Sequence, residues 1–174
     1  MVEIKKTIFD EIFIKMDFIV RQGEEKDMQS VFDLITELAV FEKEPDAVDI
    51  SVTDLINDGF SENPKFKIFV AEQENQIIGI ALFYERYSTW KGRTIHLEDL
   101  IVTKKKQKIG AGKALYTAVL KYAFDHNYNR VAWEVIDWNQ NAIDFYKSTG
   151  ATYLNDWSVV QMNKQNLAKF IQNT

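Results

Sequence analysis

Cysteine is absent from the 174-residue chain. That excludes disulfides, thiolate nucleophiles and cysteine-held metals. Histidine is nearly absent: His96 and His126 are the only two, and no H-x-x-x-H or H-E-x-x-H spacing links them, so no metal site is expected. No apolar run is long enough for a membrane span. The first fifteen residues interrupt Ile and Phe with Glu3, Lys5, Lys6, Asp10 and Glu11, so the uninterrupted apolar centre of a signal peptide is missing too. The expectation is a cytoplasmic protein with no membrane partner. An excess of positive charge is also missing. At a net charge of −5 the chain has no overall electrostatic support for nucleic-acid binding. Repeats, low-complexity stretches and linkers are not seen.

What is present describes an ordinary globule: 46% hydrophobic and 27% charged residues, at the length of one domain. Its organising stretch is residues 100–126. The apolar run Leu100-Ile101-Val102 leads into Lys104-Lys105-Lys106-Gln107-Lys108, then Ile109-Gly110-Ala111-Gly112-Lys113. Ala111, Ala114, Leu115, Ala118, Val119, Tyr122 and Ala123 follow at helical spacing. The order is strand, glycine loop, helix. A helix's first turn carries N–H groups without intrahelical partners and a partial positive charge. Glycines let a ligand's backbone-binding groups approach closely, so this junction suits a phosphate or pyrophosphate. It is not a P-loop, because one residue separates Gly110 from Gly112 and Ala114 follows Lys113; a nucleotide-phosphate hydrolase is therefore disfavoured. A dinucleotide fingerprint fails at Leu115, where its third glycine belongs.

Strands are predicted over residues 18–21, 66–71, 77–87, 93–102, 130–136 and 157–162. Gly79 within the second long strand marks a bulge or a close backbone approach. Helices are predicted after an Asp27 cap, over 54–60 behind Thr53, from Asn139 or Asn141 to Lys147, and over 164–172. The strand, helix and strand spanning 93–136 imply a parallel crossover. The whole reads as one α/β domain over residues 16–174, with a mixed, mostly antiparallel sheet flanked by helices, and residues 1–15 as an extension.

Four segments carry a resemblance: Leu97-Glu98-Asp99-Leu100-Ile101-Val102; the loop Gln107-x-x-Gly110-x-Gly112; Trp138-Asn139; and Ala142-Ile143-Asp144-Phe145-Tyr146-Lys147-Ser148-Thr149-Gly150-Ala151. Together they resemble the GNAT acyltransferases, most closely the diamine and thialysine N-acetyltransferase branch. The resemblance implies acetyl-CoA as co-substrate, no metal, a small amine acceptor and a homodimer. It assigns Leu100, Ile101 and Val102 to the acetyl and pantetheine portion, and Gln107, Lys108, Ile109, Gly110, Ala111, Gly112 and Lys113 to the pyrophosphate. Asn139, Gln140, Asn141 and Ala142 would touch the pantetheine arm. Tyr146 would touch the cofactor as general acid on the departing thiolate, and Glu98 would help deprotonate the amine. Glu42, Trp90 and Glu134, with Glu98, would meet the substrate.

These residue types suit the chemistry. A lysine-like amine has a pKa near ~10.4, so at pH 7 about one molecule in a few thousand is a free nucleophile. A carboxylate both holds the ammonium and accepts its proton. Glu98 stands among apolar neighbours, which predicts a buried carboxylate; Asp99, one residue on, is expected on the opposite face. Two departures matter. Gln107 stands where the diamine enzymes commonly carry Arg, and Ser88-Thr89 precede Trp90 where that branch has an acidic residue and proline. The second departure opens the acceptor to an amino-acid-like amine. A catalytically idle, acyl-CoA-binding sensor of the same fold is the alternative from another class.

Overall fold

The computed structural model describes residues 17–174. Residues 1–15, expected as an extension, lie outside the described residues. The chain forms two compact units, one ending at Glu134 and one running from Val135 to Thr174.

The first unit is built on a five-stranded sheet in the order β1-β2-β3-β4-β5: β1 (Ile19–Gln22), β2 (Lys67–Gln73), β3 (Gln76–Ser88), β4 (Gly92–Val102) and β5 (Val131–Ala132). The first four pair antiparallel, and β5 runs parallel to β4, as the crossover requires. Alternation along β3 separates two layers. Ile80 and Leu82 join Ile68, Val70 and Ile101 beneath α1 (Met28–Phe41) and α2 (Val52–Gly59). Phe83, on the other face, meets Tyr122 of α3 (Ala111–Asp125), with ring centroids 5.1 Å apart. Both faces of the central strands are covered, which explains their continuous burial from Ile78 to Phe83.

Local chemistry differs from expectation at two caps. Ser51, not Thr53, opens α2, in a reciprocal capping box with Asp54. Asp27 does not cap α1 through its side chain; it takes two guanidinium hydrogen bonds from Arg21, at 2.7 and 2.9 Å. Burial beside that guanidinium favours the charged pair over a cap.

Two bulges shape the sheet. Ile78 is the extra residue opposite Ala71 and Glu72, next to Gly79. A Cβ on Gly79 would lie 2.8 Å from the Ile101 carbonyl oxygen and 2.9 Å from a Val102 methyl, so the close approach read from the sequence is real. The second bulge is in β4: Phe83 faces Leu97 and Leu82 faces Asp99, leaving Glu98 without a cross-strand partner.

The second unit holds α4 (Gln140–Ser148) and α5 (Lys164–Gln172). The predicted strand over 157–162 does not form, and that over 130–136 shrinks to Val131–Ala132. A strand exists only where a neighbour completes its ladder, and among the described residues these segments have none beyond that pair.

Candidate active site

The glycine loop sits where β4 delivers the chain to α3. Gly110 takes a left-handed conformation, φ 92°, as the residue before the helix, and no side chain caps it. No capping side chain therefore competes for the opening N–H groups of α3. Among the described residues nothing lies within 4 Å of a Cβ built on Gly110, and at Gly112 only a Val102 methyl does, at 3.7 Å. Gln107 folds back, donating through Nε2 to the Val102 carbonyl at 3.4 Å, and Lys108 holds φ 68°. Ile109 is exposed, and Ala111 is buried beneath the helix. Lys104, Lys105, Lys106, Lys108 and Lys113 make no ion pair among the described residues, so their charge is directed outward.

Upstream, β5 pairs with β4 only at Ile95 and His96. The main chain of Leu100, Ile101 and Val102 thus has β3 on one side and no strand on the other among the described residues. That free edge can hydrogen-bond an extended chain laid along it.

The β4 bulge organises the carboxylates. Glu98 is half exposed, contrary to the buried carboxylate predicted; its Oε2 accepts a 2.8 Å hydrogen bond from the Tyr84 hydroxyl and lies 3.4 Å from His96 Nε2. Asp99 also differs from expectation. Simple alternation would turn it away from His96, but the inserted residue resets the phase. Asp99 pairs with Leu82 and His96 with Tyr84, so both share one face of the sheet. Burial, with the negative charges of Glu98 and Glu42, raises the Asp99 carboxyl to about 6. Glu42, directly after α1, is itself raised by burial. The same environment, burial first and then the bond to Glu98, pushes the Tyr84 phenol up to about 12; Glu134 adds to this and Arg86 opposes it. Glu98 and Glu42 thus stand within electrostatic reach of Asp99, and Glu134 within reach of Tyr84. Trp90 stands at the β3–β4 turn, 78% exposed, its backbone N–H on Ser88 Oγ. Asp99 was legible as a residue but not as sharing the face of His96, because a bulge carries no sequence signal as plain as a glycine.

In the second unit, Asn139 caps α4, its side-chain oxygen accepting from the Ala142 N–H at 3.3 Å. Gln140 and Asn141 open that helix exposed, Gln140 bonded to Asp144 at 2.6 Å. Tyr146 is half-buried one and a half turns on, its ring against Phe145 with centroids 5.4 Å apart.

With this arrangement in view, the sequence profile of the Acetyltransferase (GNAT) family matches residues 28–151. The chain belongs to the GNAT acetyltransferase family. The matched GNAT region covers both the glycine loop and α4. Thialysine N-epsilon-acetyltransferase of Sus scrofa is 38% identical over 146 residues, covering 79% of this chain and 86% of that protein. Spermidine/spermine N(1)-acetyltransferase-like protein 1 of Homo sapiens is 32% identical over 160 residues, covering 86% of this chain and 23% of that one. Among solved structures, an integron cassette protein from V. cholerae shares the GNAT fold with a TM-score of 0.74 at 23% identity, covering 90% of this chain and 99% of that one. GNAT acetyltransferases use acetyl-CoA. The uncapped helix, the open left-handed Gly110, the cationic rim and the free edge of β4 all fit its diphosphate and extended arm.

Proposed function

We propose that the protein transfers an acetyl group from acetyl-CoA to the primary amine of a small cationic substrate, a diamine, polyamine or thialysine-like amino acid. The observation that carries this is the carboxylate pair Glu98 and Asp99 at the β4 bulge, with Glu42 within electrostatic reach of Asp99. Such a group attracts an ammonium and lowers the cost of holding it out of water. The relatives named for thialysine and for spermidine and spermine support an amine acceptor.

The residues divide the work. The α3 opening from Gln107 to Lys113 holds the diphosphate, and the β4 edge at Leu100, Ile101 and Val102 aligns the arm. Asn139, Gln140, Asn141 and Ala142 take the role that the family resemblance gives them, contact with the pantetheine arm. Bound acetyl-CoA supplies an activated acyl carbon and a thiolate leaving group. Glu98 takes the ammonium proton, directly or through water, and Asp99 provides a second acceptor whose pKa near 6 suits transfer at neutral pH. Tyr146 Oη gives a proton to the departing sulfur, general acid help of a kind typically worth ~10²–10⁴-fold. Residues 16–174 act as one domain in this reading, in the cytoplasm and as a homodimer, with residues 1–15 an extension.

A panel of spermidine, putrescine, thialysine, lysine and ornithine, assayed by release of free thiol from acetyl-CoA, tests the proposal. At least one amine is expected to turn over, and Tyr146→Phe to lower kcat about 100-fold or more with little change in acetyl-CoA affinity. Tight acetyl-CoA binding with no thiol release from any amine would instead establish the idle sensor.

A further inference from the structure

The face that carries Asp99 does not end at the carboxylates. Along β3, Leu82, Tyr84 and Arg86 alternate onto it; opposite them on β4 stand Asp99, His96 and Thr94. The strip therefore runs from acid, through a phenol and an imidazole, to a guanidinium. Its middle is tightly joined. The Tyr84 and His96 rings lie 5.2 Å apart, and both side chains reach Glu98. His96 is only 7% exposed, and its Nδ1 has no hydrogen-bond partner among the described residues. A buried polar atom left unpaired is costly unless something else completes it.

At the far end Arg86 is exposed and makes no ion pair or side-chain hydrogen bond among the described residues. Its neighbour across the hairpin behaves differently. Arg93, on the opposite face, is held by Glu85 and by the Tyr128 hydroxyl. So the hairpin ties down one guanidinium and leaves the other open on the carboxylate-bearing face. The Tyr84 hydroxyl holds Glu98, and Arg86 stands two residues further along the same face of β3, roughly 7 Å of backbone from Tyr84. A lysine-length amino acid, with about 7 Å between terminal nitrogen and carboxylate carbon, matches that interval.

We propose that Arg86 receives the carboxylate of the acceptor, so that this chain selects amino acids with a terminal amine over diamines lacking that carboxylate. The inference rests on the acetyl-transfer reading above. Its physical basis is polarity. A diamine's second ammonium would point at a guanidinium, whereas an amino acid's carboxylate finds a planar two-pronged donor there.

The test compares lysine with cadaverine, the same molecule without the carboxylate, in the wild-type enzyme and in Arg86→Ala and Arg86→Lys. In Arg86→Ala, KM for lysine is expected to rise about 10- to 100-fold, the loss of a charge-assisted hydrogen-bonded contact, with kcat little altered. KM for cadaverine is expected to fall, because a repelling cation is gone. Arg86→Lys should recover part of the lysine preference. An equal loss for both amines, or an unmoved lysine KM, would overturn the role of Arg86 while leaving acetyl transfer intact. Failure of the wild type to acetylate either amine, or any other in the panel, would overturn both.

Discussion

At the scale of single residues, Asp99 concentrates the relation between site and stability. Its carboxyl titrates at about 6 in the fold, against ~3.9 in an unfolded chain. The sign follows. Below about pH 4 the acid is neutral in both states and has no effect. Between the two values the folded state holds the proton more tightly, so stability falls as pH rises. Above pH 6 the full penalty applies, about 2–3 kcal/mol as an upper figure. Asp99→Asn is therefore expected to raise the melting temperature at pH 8 and leave it nearly unchanged at pH 4, in paired thermal melts. Loss of the proton acceptor should make the same variant slower, the trade between a strained site and a stable one. Equal melting shifts at both pH values would remove Asp99 from the role given to it.

At the scale of elements, the β4–loop–α3 junction rests on backbone conformation. Gly110 has free space around it but a left-handed φ of 92°, so the penalty for a side chain there is conformational. Gly112 has ordinary helical room, its would-be Cβ 3.7 Å from Val102. Gly110→Ala is expected to cost about 1–2 kcal/mol and to weaken acetyl-CoA binding, since the opening N–H groups would shift. Gly112→Ala should be nearly neutral for folding. Denaturant melts and calorimetric titration of acetyl-CoA separate the two; similar destabilisation by both would show that crowding, not φ, governs the loop. The periodicity of α3 was legible because its buried face, Ala111, Ala114, Leu115, Val119 and Ala123, repeats every three to four residues. The loop was legible from spacing. The bulge at Glu98 was not, because the run from Ile95 to Val102 reads as an unbroken strand.

At the scale of the whole molecule, the second unit keeps a strongly apolar surface. Trp157, Val159, Val160 and Met162 are exposed, Val160 by 91%, and α5 exposes Leu167, Phe170 and Ile171. Exposed apolar side chains in such number mark an interaction surface. The proposed homodimer places a second copy there, and light scattering is expected to give twice the 20.3 kDa of one chain. Val160→Asp should shift the population toward monomer without lowering the melting temperature of the monomer. A wild-type protein that stays monomeric at high concentration would end this assignment.

The sequence by itself determined the class of fold, the glycine loop and its helix, and it nominated the residues proposed to bear the chemistry, because periodicity, spacing and residue type are local properties. Tertiary structure decided which of those residues meet. Pairing with β3 inserted Glu98 as an extra residue, and that one change of phase turned Asp99 onto the face of His96, Tyr84 and Arg86. Pairing likewise cut β5 to two residues and left 157–162 without a ladder. Strand register depends on a partner distant in the chain, and no count along one segment contains it.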